Sequence, residues 1–135
     1  ILKYADFISV GTNDLAQFVF ACDRGQPRLT DIYDVLSVPF LRLMKEIVDK
    51  ANKAGVYCSV CGEMASNPIE ALALIGIGYR NLSSSGAAFG NIKAMVRSTN
   101  VETIHDYMQV LLNSQKMMLR PQLLSYAYDH GIEIY

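Results

Sequence analysis

Hydrophobic positions along this chain follow two rhythms that alternate. Three short apolar runs of strand type, Phe7–Val10, Val56–Val60 and Arg80–Ser83, each end in small polar or glycine residues. Stretches with helical spacing follow them. Gly11 permits a sharp exit from the first run, and Leu15 to Phe20 predicts a short helix from Asp14 to about Cys22. A long connection containing Tyr33 and Asp34 leads to a helix capped by Ser37 or Val38. Pro39 lies in its first turn and Gly55 ends it. Leu41, Met44, Ile47, Val48 and Ala51 form its core face. Asn67 is placed to cap the next helix, with Pro68 at its first position and Glu70 able to reach back. That helix, Pro68–Ile75, is almost wholly apolar, which predicts burial round much of its circumference. Gly76 and Gly78 are expected to terminate it. Ser84-Ser-Gly86 opens a helix over about Ala88 to Arg97, and Thr99-Asn-Val-Glu102 reads as a capping box for a helix to about Asn113. A last helix starts near Arg120-Pro121 and ends at Gly131.

This rhythm implies an α/β fold with parallel strands joined by right-handed crossovers. Three βα units make an open arc with two unpaired edges, so self-association, or a domain only marginally stable as a monomer, is expected. The 135 residues suffice for one domain with a sizeable core. A net charge of -1 leaves no electrostatic footprint for nucleic acid or an anionic membrane surface. No apolar run approaches the roughly 20 residues of a membrane span. Three cysteines, an odd number, argue against a secreted disulfide framework and make a cytoplasmic location the default expectation. The chain begins without methionine and is 51% hydrophobic, which fits a piece of a larger protein with faces meant to be covered.

Candidate chemistry sits at the carboxyl ends of the strands, where parallel α/β proteins line their ligand crevices. After the first strand come Thr12, Asn13 and Asp14; after the second, Cys61, Gly62 and Glu63; after the third, serines and Gly86. Asp14 suits a hard cation, Asn13 can donate and accept, and Arg24 can fork onto a carboxylate or phosphate. Helix capping without a ligand accounts equally for Asn13 and Asp14 taken alone. Cys58 and Cys61 form a Cys-x-x-Cys pair, but positions three apart on a strand point to opposite faces. A redox pair belongs at a helix N-terminus and a zinc site needs a second ligand pair. His105 and His130 lie far along the chain in helical segments, and no role is assigned to them.

Several motifs coincide in order. Ser9-Val-Gly-Thr-Asn-Asp-Leu15 with Gln17, Asp23-Arg-Gly25, Ala51-Asn-Lys-Ala-Gly55, Cys61-Gly-Glu-Met-Ala65, Leu74-Ile-Gly-Ile-Gly78 and Leu82-Ser-Ser-Ser85 together resemble the phosphoenolpyruvate-binding domain of enzyme I of the bacterial phosphotransferase system. Pyruvate phosphate dikinase and phosphoenolpyruvate synthase share that domain. The resemblance covers roughly residues 5 to 100. It implies that residues 1–100 form the last three strand–helix units of a TIM-type (β/α)8 barrel, with 101–135 as a C-terminal helical segment of the same domain. It further implies that Cys61 is the general acid that protonates the enolate of pyruvate. Asn13 and Arg24 are then substrate-binding residues, Asp14 a substrate and Mg2+ ligand, and Gly62 and Glu63 supports of the Cys61 loop.

On this resemblance the parent protein transfers the phosphoryl group of phosphoenolpyruvate to its own histidine and then to a histidine phosphocarrier protein, releasing pyruvate. It acts as a homodimer. The glutamate partner of Asp14, two arginines and the phosphorylated histidine would lie outside these residues, so the piece alone is expected to be inactive. Asp23-Arg-Gly25 and the compact connections favour enzyme I over a dikinase or synthase. An oligomerisation module without catalysis is the alternative of another class.

Overall fold

A computed structural model describes residues 2–22 and 33–135. Among these residues a three-stranded parallel sheet in the order β1-β2-β3 is built from Phe7–Gly11, Tyr57–Cys61 and Leu82–Ser83. Register pairs Ser9 with Ser59 and Gly11 with Cys61, then Cys61 with Ser83, so the carboxyl ends of all three strands lie level. The helices are α1 (Thr12–Val19), α2 (Val38–Lys53), α3 (Pro68–Ile77), α4 (Phe89–Ser98), α5 (Val101–Leu112) and α6 (Arg120–Asp129). The α/β reading holds, and the sheet is open.

Strand alternation divides the sheet into two faces. Ile8, Val10, Cys58 and Val60 pack into or against the hydrophobic core, whereas Phe7, Ser9, Gly11 and Tyr57 are exposed. Among the described residues, helices therefore cover one face and leave the other bare. The core centres on α3, in which every residue from Ile69 to Ile77 is buried. Full burial of a Leu or Ile is worth roughly 1.5–3 kcal/mol, so this one helix carries much of the hydrophobic stabilisation. The cluster runs without a break from Leu36 to Ile132 and takes in Met108, Leu111, Leu112, Leu123 and Tyr126. Val110 on α5 and Leu124 and Tyr128 on α6 are exposed.

Local signals account for most boundaries. The Asn67 side chain accepts from the Ile69 and Glu70 amides, and Pro68 follows at the first position of α3. Several expectations are corrected. Glu70 does not reach back to complete a capping box; its carboxylate extends to Arg120. Gly76 does not end α3 but lies inside it, because a side chain there would meet α5: an added Cβ would stand 2.5 Å from Met108 Cγ. Gly78 is the true terminus, at φ +121°. The cap of α5 is Asn100, which accepts from the Thr103 amide, while the Thr99 hydroxyl turns back to the Met95 carbonyl. β3 shortens to Leu82–Ser83, and α1 starts at Thr12 and ends at Val19.

Ser37 occupies the cap position of α2 without making a side-chain cap bond. It pairs antiparallel with Met118 instead, flanked by bonds from Val38 N–H to the Met117 carbonyl and from Leu119 N–H to the Leu36 carbonyl. This ties the segment before α6 to the end of the long connection. No helix among the described residues is long and apolar enough to cross a membrane.

Candidate active site

The ends of β1 and β2 are stitched to each other. Thr12, the first residue of α1, is buried and donates its hydroxyl to the Cys61 carbonyl at 3.0 Å. The Asn13 side-chain oxygen accepts the Glu63 amide at 2.9 Å, across 50 residues of sequence. An amide N–H can only donate, so this bond turns the oxygen of Asn13 toward the Glu63 backbone. Between these two bonds sits Gly62 at φ +104° and ψ -168°. A Cβ here would stand 2.5 Å from Thr12 Oγ1 and 2.9 Å from Asn13 Oδ1. Only glycine tolerates both the backbone conformation and the close approach.

Cys61 is the last residue of β2, half-buried, with its thiol in a polar setting. Its sulfur accepts from the Ser9 hydroxyl and donates to the Val10 carbonyl, each at 3.7 Å. Cys58 lies on the other side of the strand, 6% exposed, where burial pushes its thiol up from the ordinary cysteine value. All three cysteines are free. The pair thus has the opposed orientation that its strand spacing predicts.

Glu63 begins a one-turn 3-10 helix, Glu63–Ala65, and it is the backbone of Glu63, not its carboxylate, that anchors the turn to Asn13. Asp14 is exposed in the first turn of α1, where a carboxylate is favoured by the helix dipole. Among the described residues no three His, Cys, Asp or Glu side chains converge as a metal cluster. Arg24 lies outside the described residues. The structure therefore brings Asn13, Cys61, Gly62 and Glu63 into one bonded unit and places Asp14 beside Asn13 in the chain. Ser85, at the third strand end, accepts from the Ala88 amide at 3.3 Å, a turn-capping role.

Two sets of contacts were not singled out from the sequence. Thr12 and Ser9 fall within the first motif but carried no assigned role, since only the cross-strand register reveals their contacts. The other is an ion cluster next to the site. Arg120 at the start of α6 forks onto Asp34 through two 2.7 Å bonds and reaches Glu70 at 2.7 Å. Its guanidinium holds Asp34 below the usual carboxylate range, although burial opposes it, while burial outweighs the same arginine at Glu70 and raises that group. Asp34, Glu70 and Arg120 line a cleft of about 440 Å³ together with Asn13, Gln17 and Glu63. Phe20 and Tyr33 stack at 5.2 Å along its wall. Cys61 and Asp14 do not line this cleft. It opens beside the strand ends, so hollow shape alone does not single out Cys61.

Residues 1–101 match the family described as PEP-utilising enzyme, PEP-binding domain. A Salmonella typhimurium protein named phosphoenolpyruvate-dependent phosphotransferase system is 41% identical over 128 residues, covering 94% of this chain and 17% of that protein. The Escherichia coli protein of the same name is 39% identical over 133 residues, covering 98% of this chain and 18% of its own length. A phosphoenolpyruvate-protein phosphotransferase of Borreliella burgdorferi is 35% identical over 120 residues, 89% of this chain and 20% of that one. The chain spans about a fifth of the length of these relatives.

Proposed function

This chain belongs to the PEP-binding domain family of PEP-utilising enzymes, and from that premise we propose that it carries one part of a phosphoenolpyruvate site in a phosphoenolpyruvate–protein phosphotransferase. The observation that carries the proposal is the bonded unit at the strand ends. Thr12 and Asn13 lock the Cys61-Gly62-Glu63 turn, so substrate donors and a thiol are held in fixed relation before any ligand arrives.

In this reading Asn13 donates Nδ2 to the substrate phosphate, and Arg24 grips the phosphate and carboxylate. Mg2+ bound at Asp14 would neutralise charge on the phosphoryl group and on the enolate. An exposed carboxylate fits that ion in kind, since Mg2+ is commonly held by one or two carboxylates, waters and phosphate oxygens. When the P–O bond breaks, the phosphoryl group passes to a histidine of the whole protein and pyruvate is left as its enolate. The Cys61 S–H bond then breaks and a C–H bond forms at C3, giving pyruvate. The thiolate recovers its proton from water. A thiol is among the side chains that transfer protons as general acids.

The histidine subsequently passes the phosphoryl group to a histidine phosphocarrier protein. The bare sheet face, with Phe7 67% exposed, supports cover by further strands of a (β/α)8 barrel. Exposed Phe18 and Val19 support pairing of two copies, to be read by sedimentation of the whole protein. Free cysteines are compatible with a reducing compartment such as the cytoplasm.

Grafting this chain in place of the matching segment of the Escherichia coli relative tests the assignment. The folded graft is expected to form pyruvate from phosphoenolpyruvate and to lose that activity in Cys61→Ala. A folded graft whose turnover is untouched by Cys61→Ala contradicts the role given to the thiol.

A further inference from the structure

Cys61 is not the only side chain at its position on the bare face of the sheet. In the parallel register Gly11 stands opposite Cys61, which makes Ser9, two residues earlier, its diagonal neighbour on the same face. Gly11 has no side chain to intervene. The Ser9 hydroxyl donates to Cys61 Sγ at 3.7 Å while the thiol donates to the Val10 carbonyl at the same distance. Ser59, another hydroxyl on this face, is directed to the Ile8 carbonyl at 3.5 Å, and Ser83 stands in register with Cys61 on β3.

We infer that Ser9 is a positioning residue for the Cys61 thiol, holding the sulfur as a hydrogen-bond acceptor and stabilising the thiolate that remains when the proton has gone. This rests on the reading of Cys61 as the proton donor. The two contacts act in opposite senses. The bond to the Val10 carbonyl exists only while sulfur carries its proton, so it favours the thiol. The Ser9 bond becomes charge-assisted once the proton leaves, and such bonds are roughly twice as strong as neutral ones. Ser9 therefore makes Cys61 a better acid without changing its place on the strand. Among the described residues, the charged side chains on the flanking elements are Asp14 on α1 and Glu63 on the following turn, and Tyr57 shares this face of β2. β1 and β3 present no titratable group, since Gly11 and Ser83 are the register partners. Both acids are unchanged by substitution of Ser9, so a shift on removing its hydroxyl reports the hydroxyl itself.

The experiment is alkylation of the full chain with iodoacetamide across pH, with each cysteine followed by peptide mass spectrometry. Ser9→Ala is expected to move the Cys61 midpoint upward and slow its alkylation near neutral pH by about fivefold, the size of one differential hydrogen bond. Ser9→Thr, which restores a hydroxyl on a strand-compatible side chain, should return the profile toward the original. Cys58, on the opposite face, serves as internal control and should not move. An unchanged Cys61 profile in Ser9→Ala, or a shift shared equally by Cys58, overturns the inference. In the graft, loss of pyruvate formation in Cys61→Ala together with an unmoved Ser9→Ala profile would reject Ser9 alone. A shifted profile with an indifferent Cys61→Ala would reject the proton-donor reading and leave the Ser9–Cys61 bond in place.

Discussion

Arg120→Gln removes the cation from a cluster that joins three parts of the chain. Asp34 ends the long connection, Glu70 lies in the first turn of α3, and Arg120 opens α6. The substitution deletes three charge-assisted bonds, each 2.7 Å long. It leaves two carboxylates whose side chains are only 16% and 12% exposed. Stripping the partner from a buried pair costs about 3–5 kcal/mol. Arg120 itself is 34% exposed, so water screens part of the interaction and about 2–3 kcal/mol is expected near neutral pH.

The pH dependence has a definite sign. In the unmodified chain the folded pKa of Asp34 is lowered, so its contribution is present above the unfolded value of about 3.9 and is lost as pH falls through the lower folded value. Glu70 is raised, so its contribution is present below the unfolded value of about 4.3 and is lost as pH rises through the higher folded value. Without Arg120, burial and mutual repulsion act on both carboxylates and Glu63 also repels Glu70, while the Leu36 amide still donates to Asp34; both groups lose the cation that favoured their charged forms, and acid relieves the variant. The gap between the two proteins should shrink to about 1 kcal/mol near pH 4.5. Urea unfolding followed by circular dichroism at both pH values measures it. A gap below about 0.5 kcal/mol near neutral pH, or one that does not change with acidification, refutes the argument that the arginine neutralises buried carboxylates.

Other perturbations follow from close approaches. Gly62→Ala places a Cβ against Thr12 and Asn13 at a positive φ, and should cost about 1–3 kcal/mol in thermal or urea stability while disturbing the amide signals of Asn13 and Glu63. Unchanged stability and signals would mean that the turn is free to move. Gly76→Ala, inside a helix where alanine is normally preferred, should instead destabilise by about 1–3 kcal/mol because α5 is in the way. A stabilised variant would place α5 farther from α3. Tyr79→Phe removes a hydroxyl that is fully buried and donates to the Met44 carbonyl at 3.0 Å, and should cost about 1 kcal/mol by the same unfolding assay. No loss would show that this carbonyl finds another donor.

Local chemistry was legible along the chain and long-range pairing was not. Phe7–Val10 and Val56–Val60 announced two strands through their apolar runs, and Asn67-Pro68 announced a helix start, because each signal is written within a few residues. Gly76 misled because periodicity treats an internal glycine as a terminator, whereas its cause is the passage of Met108 and Ile104 on another helix. Glu70 misled for the same reason, since a local capping partner was replaced by an arginine 50 residues away. Thr99 and Asn100 are both good caps, and only the backbone decides between neighbours. At the site, Asn13, Cys61 and Gly62 were identified through motifs, yet the bonds that unite them depend on parallel register. Arg120 marked only a helix start, and its pairing with Asp34 left no trace in any pattern, because 86 residues separate the two.

The central claim is that these strand ends form a prearranged part of a phosphoenolpyruvate site. Titration of the full chain with phosphoenolpyruvate and Mg2+, followed through amide signals, tests it most directly. The account predicts saturable shifts at Asn13, Asp14, Cys61 and Glu63 that strengthen with Mg2+ and weaken in Asn13→Ala. A well-dispersed spectrum that stays still throughout the titration would contradict it.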